Sequence, residues 1–220
     1  MKRISWLHPD DPDHFPPVSQ ALDDPPGLLA AGGDLSPERL QAAYRQGIFP
    51  WYSAGEPVLW WTPDPREVLF PQDLHVSRSL RRCLNRGEFT ITENRDFPAV
   101  IAACGAPRGP ETGTWITPEM IAAYRELHRR GIASSIEVWK DDELAGGLYG
   151  VRSGPVFCGE SMFSRQANAS KVALVWLAGQ CAERDIQLID CQMPSPHLRS
   201  MGSRPLPRHE FLAILQRPNP

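Results

Sequence analysis

The sequence lacks most of the signatures that mark common enzyme classes. It has no P-loop and no G-x-G-x-x-G turn, so the usual phosphate cradles of nucleotide-dependent enzymes are missing. It has no G-x-S-x-G elbow. Gly159-Glu160-Ser161 comes near one, but Phe163 stands where the second glycine belongs, which argues against covalent serine catalysis. The six histidines show no metal-binding spacing, and the five cysteines (Cys83, Cys104, Cys158, Cys181 and Cys191) contain no C-x-x-C pair. Neither a metal nor an organic cofactor is expected. Several cysteines sit in apolar runs such as Val156-Phe157-Cys158, as free thiols do in a reducing compartment. No apolar run approaches the ~20 residues that span a bilayer. The opening Met1-Lys2-Arg3-Ile4-Ser5-Trp6 has no signal-peptide core. A soluble, cytoplasmic chain with no membrane partner is expected. The formal net charge of −3 excludes a globally basic surface, so a nucleic-acid partner would need a local patch.

What is present supports a folded protein. Of 220 residues, 41% are hydrophobic, enough for a sizeable core. The 23 prolines crowd the first third and both ends, which predicts loops there. Residues 1–35 show no sustained period. A helix is predicted from Ser36 and Pro37 to Gly47, with Leu40, Ala43 and Tyr44 on one face. Ile48–Tyr52 and Leu59–Trp61 read as large apolar groups on proline-punctuated loops. A domain boundary is expected near Thr62-Pro63, dividing 1–62 from 63–220. Beyond it, the pattern predicts helices at 77–85, 97–104, 117–131 and 169–184. Strands are predicted at 88–93, 134–140, 143–151, 155–162 and 187–192. Strands with interspersed helices make the fold class α+β with a mixed sheet.

Two segments put carboxylates where strands should be buried. In Ile186–Gln192, alternation places Leu188, Asp190 and Gln192 on one face. In Val156–Phe163 it places Val156, Cys158, Glu160 and Met162 on one face, and Phe157, Ser161 and Phe163 on the other. A buried charge is costly unless paired or used. Asp190 is therefore either a structural partner of a neighbouring loop or part of a site. Glu160 is either a strand end at solvent or part of the same site. From their shared strand face, Asp190→Asn and Gln192→Ala are each expected to change global stability little. Gly146, Gly147, Gly150 and Gly159 leave bare backbone for a substrate, or mark ordinary bulges.

The basic residues fall into clusters. Arg78, Arg81, Arg82 and Arg86 recur at helical spacing; Arg125, His128, Arg129 and Arg130 form a second group. Arg152, Arg165 and Lys171 add to the same half of the chain. Each is either a solvated face or a grip on phosphates.

Longer phrases carry a resemblance. They include Gly32-Gly33-Asp34-Leu35-Ser36-Pro37, Gly47-Ile48-Phe49-Pro50-Trp51 and Trp60-Trp61-Thr62-Pro63-Asp64-Pro65-Arg66. Gly113-Thr114-Trp115-Ile116-Thr117 and Ser135-Ile136-Glu137-Val138-Trp139 follow. Phe157 through Ser164, Asn168-Ala169-Ser170-Lys171 and Leu188-Ile189-Asp190-Cys191-Gln192 complete the series. From about Phe15 to Leu215 the chain resembles the leucyl/phenylalanyl-tRNA–protein transferase family. The resemblance implies a small N-terminal domain packed on a larger GNAT-like acyltransferase domain. It implies a cofactor-free, monomeric enzyme that takes Leu or Phe, and Met less well, from aminoacyl-tRNA. The acceptor would be a protein with N-terminal Arg or Lys, which the added residue marks for N-end rule degradation.

Carried over by position, the resemblance makes Glu160, Asp190 and Gln192 the catalytic group. Trp51, Trp115, Tyr124 and Tyr44 would surround the 3′ adenosine and acceptor. Leu148, Phe157, Met162, Leu174, Leu177 and Ile189 would line the donor side-chain pocket, and Arg78, Arg82 and Arg86 would grip tRNA. Departures fall at Leu148, Leu177 and Cys181, which bear on donor preference, and at Asn85, where some relatives are basic. Two rivals remain. A CoA-dependent N-acetyltransferase would need a glycine-rich loop before the 169–184 helix, where this chain has Ser164-Arg165-Gln166-Ala167-Asn168. A non-catalytic tRNA- or N-terminus-binding module would not need two carboxylates and a glutamine facing an apolar pocket.

Overall fold

Strands from the first 61 residues and strands from Arg66 onward form separate sheets in the computed structural model, which describes residues 3–107 and 114–218. The first sheet has four short strands: β1 (Ser5–Leu7), β2 (Leu28–Gly32), β3 (Phe49–Pro50) and β4 (Leu59–Trp61), in the order β1-β2-β4-β3. The second has seven: β5 (Arg66–Leu69), β6 (Thr90–Glu93), β7 (Ala133–Lys140), β8 (Glu143–Ser153), β9 (Val156–Ser164), β10 (Leu188–Gln192) and β11 (Arg204–Leu206). Their order is β11-β5-β10-β9-β8-β7-β6. The β9–β10 pair is parallel and its neighbours antiparallel, so the fold is the expected α+β class with a mixed sheet. Residues 48–52 and 59–61 are not merely loops, as the proline punctuation suggests, because β3 and β4 pair there.

Polar caps start four of the helices that the sequence predicts, the 169–184 helix being the exception. Ser36 accepts from the Arg39 amide at the head of α1 (Pro37–Arg45), and Ser77 from Leu80 in α2 (Arg78–Arg86). Asp96 and Thr117 do the same for α3 (Phe97–Cys104) and α4 (Pro118–Arg129). The predicted 169–184 helix is α5 (Ala169–Gln180) followed by a separate 3-10 turn at Ala182–Arg184. Two helices near the end were not predicted: α6 (Pro196–Ser200), although Ser195 caps it and Pro196 opens it, and α7 (Arg208–Leu215).

The large sheet is buried on both faces. On one, α5 and α2 cover Ile136, Leu148, Phe157 and Ile189. On the other, α3, α4 and the N-terminal segment cover Tyr149, Val151, Cys158 and Leu188. The β8 glycines serve this packing rather than leaving room for substrate. A Cβ at Gly146 would lie 2.6 Å from the Ala169 Cβ of α5, and one at Gly150 would lie 2.3 Å from the Cys158 carbonyl oxygen.

Candidate active site

Between β9 and β10 the sheet comes apart. The two strands pair at Leu188–Val156, Ile189–Phe157 and Asp190–Cys158, and no further. Each then carries a bulge. On β9, Tyr149 of β8 faces Ser161 and Gly150 faces Gly159, so Glu160 is the extra residue. On β10, Asp190 faces Val68 and Gln192 faces Glu67 of β5, so Cys191 is extra. Gln192 takes a left-handed backbone, φ 61°. Strict alternation therefore fails at both places. Met162 turns to the α5 face, not to the face of Cys158.

A cavity of about 810 Å³ opens at this split. Leu148, Phe157, Met162, Leu174, Leu177 and Ile189, the six residues expected around a donor side chain, all line it. Trp115, Glu160, Asp190 and Gln192 line it too. An apolar lining with a few convergent polar groups is the usual make-up of a small-molecule site.

The polar groups are tied together. Glu160 is buried, at 6% exposure, so it is not a strand end at solvent. Its Oε1 accepts from Gln192 Nε2 at 2.7 Å and its Oε2 from the Tyr124 hydroxyl at 2.8 Å. The Tyr124 hydroxyl also meets that of Tyr44. With the Tyr124 proton directed at the carboxylate, Tyr44 donates to Tyr124. Burial, chiefly, pushes the Glu160 carboxyl up to about 7; the Asp190 charge adds to this, while Tyr124, Tyr44 and Gln192 hold it down. Burial and the Glu160 charge push both phenols well above their ordinary value, so they stay protonated donors.

Asp190 is held from behind. Arg66 Nε donates to its Oδ1 at 2.8 Å and Arg66 Nη2 to its Oδ2 at 2.7 Å. The Gln192 backbone N–H donates to Oδ1 at 2.9 Å, which fixes the bulge. Arg66 Nη1 donates to the Gly47 carbonyl, and the guanidinium lies between the rings of Phe49 and Phe211 at 4.7 and 4.8 Å. The structural partner of Asp190 is thus a strand residue and not a loop. Arg66 is the residue that sequence reasoning passed over. It stands in a quoted phrase, but the signal lay in two buried charges, Arg66 and Glu67, opening a strand that ends in Val68-Leu69.

The aromatic residues assigned to the 3′ adenosine and acceptor do not share one place. Trp115 lines the cavity. Tyr44 and Tyr124 are buried behind Glu160. Trp51 lies on the four-stranded sheet, packed on Trp61 and 39% exposed, and is not among the lining residues.

The two basic clusters differ in how far their charge is already neutralised. Arg78 and Arg82 are exposed on α2, while Arg86 pairs with Glu88. In the second cluster Arg129 and Arg130 both bind Glu126, and Arg130 also binds Glu38. Among the described residues no set of three His, Cys, Asp or Glu side chains is placed to hold a metal, and no helix is long and apolar enough to cross a membrane.

A leucyl/phenylalanyl-tRNA–protein transferase from Pseudomonas aeruginosa is 59% identical over 214 residues, covering 97% of this chain and 94% of that one. One from Nitrosomonas eutropha is 58% identical over 212 residues, covering 96% and 90%. Among solved structures, a ribosomal-protein-alanine N-acetyltransferase from Brucella melitensis aligns with a TM-score of 0.37 and 16% identity, over 51% of this chain and 84% of that one. The model for the leucyl/phenylalanyl-tRNA protein transferase family matches residues 68–216, and the model for that family's N-terminal domain matches residues 33–64. The split sheet, its apolar cavity and its buried carboxylates therefore belong to a member of the leucyl/phenylalanyl-tRNA protein transferase family.

Proposed function

We propose that the protein transfers Leu or Phe, and Met less well, from aminoacyl-tRNA to the N-terminal Arg or Lys of acceptor proteins. It would act as a cytoplasmic monomer without a cofactor, and the added residue would mark the acceptor for degradation. The observation that carries this reading is the Glu160–Gln192 pair at the wall of an apolar cavity. The aminoacyl ester is already activated, and an α-amine with a reference pKa of ~7.7–8.0 is partly neutral near pH 7. The enzyme needs mainly to hold amine and ester together and take up charge.

In this scheme the donor side chain, aromatic or aliphatic without a β-branch, fills the pocket of Leu148, Phe157, Met162, Leu174, Leu177 and Ile189. Gln192, with Nε2 donated to Glu160, offers its side-chain oxygen to the amine. Glu160 takes the proton from the attacking amine as the C–N bond forms and returns it to the 3′ oxygen as the ester C–O bond breaks, so that the tRNA leaves with its 3′ hydroxyl restored. Its raised carboxyl suits proton exchange near neutrality. Asp190, already engaged by Arg66, acts as a positioning residue that sets the Gln192 backbone. Glu160, the acid without a cationic partner among the described residues, also suits a cationic acceptor. Trp115 at the cavity wall offers a stacking surface for the adenine, and α2 offers Arg78, Arg82 and Arg86 to the tRNA backbone.

One assay tests this. Labelled Leu-tRNA and an Arg-initiated peptide should give a Leu-Arg product, and acetyl-CoA in place of Leu-tRNA should give none. Acetylation of the peptide, or binding without transfer, would replace this reading by one of its rivals.

A further inference from the structure

A second cavity of about 320 Å³ adjoins the first, and the two share Ser164, Arg165, Ser170 and His197. Lys171 lines only the second. No carboxylate is among its lining residues. Arg165 is anchored by a bond from Nη1 to the Leu144 carbonyl and by its position 5.5 Å over the Phe163 ring. Neither Arg165 nor Lys171 is paired with an acid among the described residues, whereas the arginines at 39, 45, 86, 129, 130, 184, 199, 204 and 208 all are. A chain of net charge −3 that pairs Arg129 and Arg130 with acids leaves Arg165 and Lys171 together beside the donor cavity.

We propose that this adjoining cavity binds the phosphodiester on the 5′ side of the donor's terminal adenosine, through Arg165 and Lys171. The assignment rests on the donor reading given above. On one ribose, the acylated 3′ oxygen and the 5′ phosphate stand at opposite ends of the same sugar. A donor whose acyl group fills the first cavity therefore puts its phosphate within one sugar's length of it, and the shared wall of Ser164, Arg165 and Ser170 spans that step. The guanidinium supplies a planar fork for phosphate oxygens and the lysine a point charge, while the Ser170 hydroxyl adds a neutral donor; the Ser164 hydroxyl is already donated to the Gln166 carbonyl and fixes the loop. This grip is separate from the α2 arginines. It reads a feature common to every tRNA, so it supplies affinity and placement of the ester and no discrimination between tRNA species.

The test compares 3′-leucylamino-3′-deoxyadenosine with its 5′-phosphate as inhibitors of Leu transfer from full-length Leu-tRNA. In the wild-type enzyme the phosphate should lower Ki at least about tenfold, the effect of one or two charge-assisted contacts. The advantage should shrink as salt rises. In the Arg165→Ala, Lys171→Ala double variant the ratio of the two Ki values should fall toward one, and Arg165→Lys should restore part of it. A ratio near one in the wild type, or a ratio unchanged in the double variant, overturns the assignment while leaving the donor reading intact. Absence of any transfer from Leu-tRNA in the wild type overturns the donor reading itself, and this site with it.

Discussion

Arg66 reaches Asp190 across 124 positions of sequence, and the two meet side-on with both side chains at 2% exposure or less. Breaking such a pair leaves a buried charge without its counterion, which costs ~3–5 kcal/mol. Arg66→Ala and Asp190→Asn should each lower unfolding free energy by about that much in urea titrations. This corrects the expectation, drawn from alternation alone, that Asp190 could be removed with little effect on stability. A loss below ~1 kcal/mol in both variants would mean the pair is not structural.

Gln192 can be probed with less damage to the fold, because its side chain bonds at the cavity wall. Gln192→Ala should cut kcat/KM for Leu transfer at least ~10²-fold, the scale of losing a positioned group. Its midpoint of thermal unfolding should move only a few degrees. Near-normal transfer would remove Gln192 from the chemistry.

Glu160 makes a pH prediction. Its carboxyl titrates at about 7 in the folded protein, against an ordinary 4.5. Transfer that needs the carboxylate should rise with pH through about 7, with a second rise as the acceptor amine loses its proton near ~8. Glu160→Gln should be slower and keep only the upper rise. Stability should move the other way. A raised folded value means that the unfolded chain gives up its proton first, so stability falls between about pH 4.5 and 7 by at most ~3 kcal/mol. Glu160→Gln should flatten that fall, and a variant with the wild-type slope would place the proton elsewhere.

The donor pocket offers shape and few hydrogen bonds. Leu-, Phe- and Met-tRNA should all serve within a spread of ~1–3 kcal/mol, with the β-branched Ile and Val poorer. Leu177→Trp should shrink the cavity and lower kcat/KM for Phe more than for Leu. Equal loss for the two donors would show that Leu177 does not face the donor side chain.

Arg78→Ala with Arg82→Ala should raise KM for full-length aminoacyl-tRNA and flatten the logarithmic salt dependence by roughly 0.7–0.9 per lost contact. The neutralised Arg129 and Arg130 make the poorer grip, so the same change there should do less. If the α2 variant keeps the wild-type KM and slope, its arginines are a solvated face.

The sequence made helices and the long meander readable because caps, turn residues and period all agree there. Ser36-Pro37, Thr117-Pro118 and the β7–β8–β9 run fall close to their predicted places. The four-stranded sheet was hidden because its strands hold only two to five residues, too few for a period to show. The apolar cavity-lining residues were legible only through the family resemblance, whereas Glu160, Asp190 and Gln192 stood out as polar groups on strands expected to be buried. Alternation put Met162 and Glu160 on one face, and the bulge at Glu160 separates them. Nothing local in Arg66-Glu67-Val68-Leu69 tells which distant acid the arginine meets. That information lies in the pairing of β5 with β10, a contact between remote parts of the chain.

The expected division near Thr62-Pro63 looks like a place to cut, yet the hydrogen bonds cross it. Tyr44 of α1 donates into the phenol chain that ends on Glu160, and Gly47 and Phe49 hold Arg66 in place. An excised 63–220 fragment would keep every lining residue of the donor cavity and still carry a differently tuned acid and an uncovered guanidinium. The N-terminal third is in that sense part of the reaction centre's insulation. Gene fusions, circular permutations or chimaeras between relatives should exchange it together with the rest, as one heritable unit.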